Sequence, residues 1–248
     1  MLDSEWAYSG PEGHYDSVAD DTPDAITAAI QAITSRRSVR GFLPDPVPRS
    51  VLEHVLAIAS TAPSGSNIQP WQVHVVTGAA RDRLSQALVQ AHASGEPAQR
   101  EYAYYPEQWR SPYIDRRREN GWGLYHTLGI QKGDHSAMTA QHRRNYTFFD
   151  APAVFVFSID RDLSLGSWLD YGMFLQNVMI AARALGLHTC PQAAIANYAG
   201  VAKQVLGISE DRILICDIAI GFEDVSEPAN AFRATRVPVA QFTTFVDD

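Results

Sequence analysis

The run SWLDYGMFLQNVMIAARALGL, residues 167–187, places apolar side chains on nearly every side of the helix it spells. A helix of about twenty residues with so little polar surface must be covered on most of its sides. In a chain of 248 residues that puts it in the core or at a subunit interface. Two further runs need the same cover: APAVFVFSID at 151–160 and DRILICDIAIGF at 211–222. Near-continuous apolar strands of this kind are buried on both faces. Helix and buried strand therefore alternate, which predicts an α/β or α+β fold and leaves the strand order open.

The remaining elements are fitted around these three. DAITAAIQAITS (24–35) sets Ile26, Ile30 and Ile33 on one helical face. SRRSVRGF breaks that period, and PDPVP (44–48) is a rigid extended connector. RSVLEHVLAIAST (49–61) is a second helix, with Val51, Leu52, Val55, Leu56 and Ala59 as its buried stripe. WQVHVVTG (71–78) is a strand closed by a glycine, ARDRLSQALVQAH (80–92) a helix and YAGVAKQVLGIS (198–209) a shorter one. Residues 1–23 are acidic and aperiodic, an extended arm or a disordered extension. Residues 94–150 mix Tyr102, Tyr104, Tyr105, Trp109, Tyr113, Trp122 and Tyr125 with arginines and glycines, which predicts a mobile helical lid. The tail from Glu227 is irregular and then briefly strand-like.

Composition narrows the function. The net charge of −8 argues against a general nucleic-acid surface. No apolar run approaches the roughly 18 residues of a membrane span, and no basic segment followed by an apolar one opens the chain, so the expected location is the cytoplasm. Two cysteines, Cys190 and Cys216, make neither a disulfide framework nor a zinc site, and the eight histidines lack metal spacing. G-x-S-x-G, P-loop and H-E-x-x-H motifs are absent, and GWGLYH (121–126) lacks the third glycine of a dinucleotide fingerprint.

Four segments remain. SRRSVR (35–40) gathers three arginines and two serines at a helix end, a composition suited to phosphate and equally to a solvated basic helix terminus. Of the 20 basic residues only Lys132 and Lys203 are lysines, so arginine, the better group for holding phosphate in a fixed geometry, dominates. APSGSNIQPW (62–71) is too polar, too stiff and too aromatic for a mere connector. GLHTCPQAAI (186–195) lets backbone approach something flat, or is an ordinary turn from helix to strand. AFRATR adds Arg233 and Arg236 near the C-terminus.

In this order, SRRSVRGF, APSGSNIQPW, GLHTCPQAA and NAFRATRVP resemble the FMN-dependent nitroreductase family over about residues 24–246. The flavour is that of its nitrobenzoate-reductase-like branch, whose members carry a tyrosine- and arginine-rich insertion like residues 100–130. The resemblance implies a nitroreductase-like α+β sandwich with a central, mostly antiparallel sheet flanked by helices, forming an intimate homodimer with two FMN sites in its interface. It implies one FMN-binding domain over 24–248 with a lid insertion at about 94–150. Arg36, Arg37, Ser38 and Arg40 would hold the phosphate and ribityl chain, with Arg236 closing on the phosphate and Arg233 assisting. Pro63, Ser64 and Gly65 would line the isoalloxazine from the other subunit, with Asn67 and Gln69 nearby. Pro191, Gln192, Ala193 and Ala194 match the segment whose backbone N–H groups face flavin N5 and O4. His188 stands where the family usually has a smaller residue.

The implied activity passes two electrons from NAD(P)H through FMN to an electron-poor aromatic, most directly a nitroaromatic, with no side chain assigned as acid or base. Ser66, Tyr102, Tyr105, Trp109, Tyr113 and Trp122 are the implied substrate contacts. Reductive dehalogenation, enone reduction, another flavin dehydrogenase role or non-catalytic FMN binding would use the same motifs, because they read FMN rather than substrate. The lid lacks the Glu-Tyr-Lys set of iodotyrosine deiodinases. A flavin-free binding module is the remaining alternative.

Overall fold

A computed structural model describes residues 23–95 and 97–247; the predicted N-terminal extension, up to residue 22, lies outside them. Its centre is a sheet of β1 (Gln72–Thr77), β2 (Ala153–Asp160), β3 (His188–Gln192) and β4 (Arg212–Gly221), ordered β1-β2-β4-β3 with every pair antiparallel. Both apolar runs are the inner strands, and both their faces are covered, as their lack of alternation requires. Phe155, Phe157 and Ile159 of β2 face one layer, formed by α2 (Arg49–Ala59) and α6 (Leu165–Ala184). Val154 and Val156 face the other, formed by α3 (Gly78–Ala93) and α7 (Ala199–Leu206). Each fully buried side chain of this size contributes roughly 1.5–3 kcal/mol.

The apolar helix is α6, and its inner face explains its composition: Tyr171, Phe174, Val178, Ala181 and Ala182 are buried. Phe174 stacks on Trp71 at 4.7 Å between ring centroids, and the Tyr171 hydroxyl accepts from the Gln72 N–H at 3.1 Å. The exit of the 62–71 loop is thereby fastened to the core. Helix α1 (Pro23–Ser35) packs on α6 but leaves Ile26, Ile30 and Ile33 about half exposed, and Leu165 and Leu169 of α6 are exposed as well. In α2 the expected stripe is realised through Leu52, Val55 and Ala59.

The lid region contains α4 (Tyr113–Thr127) and α5 (His135–Arg143), followed by a 3-10 segment, Arg144–Asp150. GWGLYH lies inside α4, where no dinucleotide loop can form. Phe148, Phe149 and Asp150 lie in the left-handed region at φ 56°, 54° and 67°. Each such residue costs roughly 1–2 kcal/mol; burial of the two phenylalanines offsets this and steers the chain into β2. The first turn of the insertion is clamped as well. Glu101 accepts from Lys203 Nζ at 2.7 Å, from Arg161 at 2.5 Å and from the Leu214 N–H at 3.0 Å.

Two expectations change. Within GLHTCPQ only Gly186, at φ 80°, turns out of α6, and His188–Gln192 is a sheet strand, β3, since its backbone completes the open edge of β4. The tail forms a short 3-10 turn, Val239–Gln241, and no strand: Pro238 precedes it and no described sheet edge runs beside it.

Candidate functional site

The site is assembled along β3. Ser38 bridges Thr189, and the Val39 N–H donates to the Thr189 carbonyl at 3.0 Å, so residues 36–40 run beside the strand. Asn230 ties in the third segment. Its Oδ1 accepts from the Arg40 N–H at 2.6 Å, while its Nδ2 donates to the carbonyls of Gly41 at 2.9 Å and Asp224 at 2.8 Å. Two motifs separated by some 190 residues thus meet at one buried amide.

The arginines divide into two kinds. Arg37 pairs with Glu223, whose other oxygen lies 3.5 Å from His188 Nε2. Arg233 turns back to the carbonyls of Asn230 at 2.5 Å and Phe232 at 3.0 Å. Arg236 does the same to the carbonyls of Ala234 at 3.3 Å and Thr235 at 2.8 Å. Of these arginines only Arg37 is held by a carboxylate; Arg36, Arg40, Arg233 and Arg236 meet none among the described residues. Burial, and then the nearby charge of Arg236, press the Arg36 guanidinium below its ordinary value. Arg36 and Arg40 both bear on the Cys190 thiol, which burial nevertheless pushes up to about 12. Burial, and then Arg183, also hold His188 below the usual imidazole value against the pull of Glu223. The result is a concentration of positive charge without an internal counter-charge, which suits a phosphate.

The 62–71 loop has a conformation of its own. Ser66, Asn67 and Gln69 are left-handed at φ 51°, 57° and 49°. The Gly65 N–H donates to Asp170 Oδ2 at 3.0 Å, and the Gln69 N–H to Ser64 Oγ at 3.0 Å. Asp170, a buried acid on α6, is therefore the post that holds the loop's first turn. Pro63, Gly65, Ser66, Asn67 and Gln69 are exposed and Ser64 is half-buried, so this wall faces outward from the chain. The structure does not bring it against the arginines within one chain.

At the end of β3, Pro191 is exposed and Ala193 and Ala194 are half-buried, whereas Gln192 is buried and donates to Asp217 at 2.7 Å. Only the backbone of Gln192 can face outward. Among the lid aromatics, the Tyr102 hydroxyl donates to the Ile215 carbonyl at 2.5 Å and its ring packs 4.8 Å from Trp168, a packing role. The Arg117 guanidinium lies over both the Tyr105 and Trp109 rings, at 5.5 and 4.8 Å, and Tyr113 carries Arg110 at 4.9 Å. Trp122 sits apart, 5.8 Å from Tyr125. A cleft of about 500 Å³ between α4 and the tail is lined by Arg116, Glu119, Thr235 and Arg236.

Gly41 is where the site is least tolerant of bulk, because a Cβ there would overlap the Cβ and Cγ of Glu227. Glu227 caps the Pro228–Ala231 turn and pairs with Arg144 at 3.0 Å. Gly41→Ala is expected to cost about 1–3 kcal/mol, read as a lower urea midpoint with an unchanged slope.

Comparison with known proteins identifies the family and the fold. The family model "Nitroreductase family" matches residues 33–222. The 4-nitrobenzoate reductase of Pseudomonas putida is 37% identical over 214 residues, covering 86% of this chain and 93% of that protein. The chloronitrobenzene nitroreductase of Comamonas testosteroni is 37% identical over 217 residues, covering 87% of this chain and 96% of that protein. The crystal structure of the FMN-dependent nitroreductase NfnB from Mycobacterium smegmatis in complex with NADPH superposes with a TM-score of 0.86 at 35% identity, covering 90% of this chain and 99% of that one.

Proposed function

The chain belongs to the nitroreductase family, and from that premise we propose that it is an FMN-dependent oxidoreductase that reduces nitroaromatic compounds with NAD(P)H. The observation that carries the reading is the trio Arg36, Arg40 and Arg236: the first two flank the bridge to β3, the third lies near enough to bear on Arg36, and none has a carboxylate partner among the described residues. Bound FMN would supply the hydride chemistry, two electrons from one nicotinamide per cycle: a first cycle takes the nitro group to nitroso with loss of water, and a second, with a second nicotinamide, takes nitroso to hydroxylamine.

The chain's own residues bind, orient and shield. Arg36, Arg40 and Arg236, with the Ser38 hydroxyl, hold the phosphate and the ribityl chain. Arg37 and Arg233 act one step back, the first fixing residues 36–40 to Glu223, the second closing the Pro228–Ala231 turn. In the segment Pro191, Gln192, Ala193 and Ala194 the backbone N–H groups of the last three would face the flavin edge, Pro191 having none and serving to shape the approach. Pro63, Ser64 and Gly65, with Asn67 and Gln69, form a stiff wall whose outward aspect fits a flavin held by a second copy. The exposed Ile26, Ile30, Ile33, Leu165 and Leu169 support that homodimer, since soluble monomers rarely leave so many large apolar groups on adjoining helices. Ser66, Tyr105, Trp109, Tyr113 and Trp122 are the groups available to a planar substrate.

Residues 24–248 are read as one FMN-binding domain with its lid at about 94–150. Among the described residues no helix is long and apolar enough to cross a membrane. Free, buried Cys190 and Cys216 fit a reducing compartment such as the cytoplasm.

The purified protein is expected to show a flavin spectrum that NADPH bleaches in the absence of oxygen and that a nitrobenzoate restores. A yellow protein untouched by NADPH and NADH would leave only flavin binding, and a protein that neither carries nor takes up FMN would remove the assignment.

A further inference from the structure

Strand β4 contains one acidic residue in an otherwise apolar interior stretch, Asp217, which is fully buried. Its register partners are Val156 on β2 and Gln192 on β3. Gln192 Nε2 donates to Asp217 Oδ2 at 2.7 Å. The other oxygen of each side chain, Asp217 Oδ1 and Gln192 Oε1, is also buried and meets no donor among the described residues. Two orphaned acceptors on one bonded pair lack the same thing, a proton. With a proton on Oδ1, the acid donates to Oε1 while Oδ2 accepts from Nε2, and a single ring of two hydrogen bonds satisfies every polar atom of the pair.

We propose that Asp217 is a positioning residue, which as a carboxylic acid pairs with the Gln192 amide through two hydrogen bonds and so fixes the backbone of Pro191–Ala194. The pair stands on the geometry above; its bearing on the flavin rests on the FMN reading. Gln192 is the last residue of β3, so anchoring its side chain sets the direction in which Ala193 and Ala194 leave the sheet. Neutrality is the form burial favours. An ionised carboxylate here would lack a cation, and burial pushes Asp217 well above the ordinary carboxylate range. Two thiols bear on it, Cys190 on the same face of the sheet and its chain neighbour Cys216 on the opposite face, both raised chiefly by burial. The cations on that side, Arg36 and Arg40, bear on Cys190.

Two variants separate the roles. Asp217→Asn can keep both hydrogen bonds, because an amide pairs with an amide in the same ring; Asp217→Val keeps neither. Infrared spectra of the FMN-loaded protein at neutral pH should show a buried carboxylic-acid carbonyl band in the wild type that Asp217→Asn lacks. Asp217→Asn should retain FMN as the wild type does, with the flavin midpoint potential close to it. Asp217→Val should release FMN about tenfold more readily, the equivalent of a lost buried hydrogen bond, with a shifted midpoint potential.

Absence of the band overturns the proposal, and so does an Asp217→Val protein that matches the wild type in both FMN retention and potential. If Asp217→Val fails to fold, the infrared comparison of wild type with Asp217→Asn decides. A protein that takes up no FMN would refute the flavin reading alone, and the same band in the flavin-free protein would still decide the pair.

Discussion

Arg36→Ala is expected to weaken FMN binding by roughly 10- to 150-fold. The estimate follows from about 1.5–3 kcal/mol for a charge-assisted hydrogen bond, converted at 1.4 kcal/mol per tenfold. Arg36 is half-buried beside Arg236 and has no carboxylate partner among the described residues, so its charge is committed to something the chain itself does not supply. The same arrangement predicts a second, opposite effect. Removing one of two neighbouring positive charges relieves repulsion in the flavin-free protein, which should melt no lower than the wild type and slightly higher at low salt. Arg36→Lys should recover only part of the affinity, since a lysine restores charge without the planar fork. Fluorescence-quenching titrations with FMN, paired with thermal melts of the flavin-free proteins, test both. Unchanged FMN affinity in Arg36→Ala would refute the assigned role.

Glu101→Leu should be the most damaging change outside the site. Lys203 is 2% exposed, and its 2.7 Å partner Glu101 is 16% exposed. Without Glu101 the ammonium keeps only Glu210, a largely exposed side chain at 3.2 Å. Leaving one half of a buried pair costs about 3–5 kcal/mol, which in a chain of this size lowers Tm by on the order of 10 °C. The double variant Glu101→Leu with Lys203→Met should regain most of the loss, because a buried ion pair is often no better than a packed apolar one. The pH dependence has a definite sign. Burial pushes the Glu101 carboxyl upward, but Lys203, the Leu214 N–H and Arg161 outweigh it and hold the group below its usual value. The stability it contributes is therefore present above the ordinary carboxylate range and is lost as pH falls through the lowered folded value. Melts of wild type and Glu101→Leu should converge in acid and separate at neutral pH.

The frame of the fold was legible where burial dictates composition. APAVFVFSID and DRILICDIAIGF had to be strands covered on both faces, and the apolar helix had to be covered on most sides, while their order in the sheet stayed open. The short strand His188–Gln192 was not legible, because a five-residue edge strand holding a proline and a histidine has no apolar run to announce it. Its place is set by the free edge of β4, a tertiary fact. The site divides in the same way. The arginines were visible as a cluster, but which of them face outward depends on Glu223 and on the Asn230 carbonyl, distant in sequence from the motif they serve. Asp170 and Asp217 did leave a signal: each is a lone acid within an apolar element. Such residues are rarely buried without a partner, and the partner is what a one-dimensional pattern omits.

The two fastenings of the insertion have a practical meaning for protein engineering. It begins at Glu101, locked onto α7 and β4, and it ends in the left-handed turn at Phe148–Asp150 that enters β2. Both junctions belong to the scaffold's own packing. Between them α4 rests on the Pro228–Ala231 turn, with Gly123 leaving room for Phe232 and Glu119 bonded to Thr235. The stretch from about residue 104 to residue 143 is thus exchangeable as a cassette only if that one face of α4 is kept. Grafting in the corresponding segment of a relative with a different aromatic preference, that face retained, should move substrate choice across while FMN retention stays with the host.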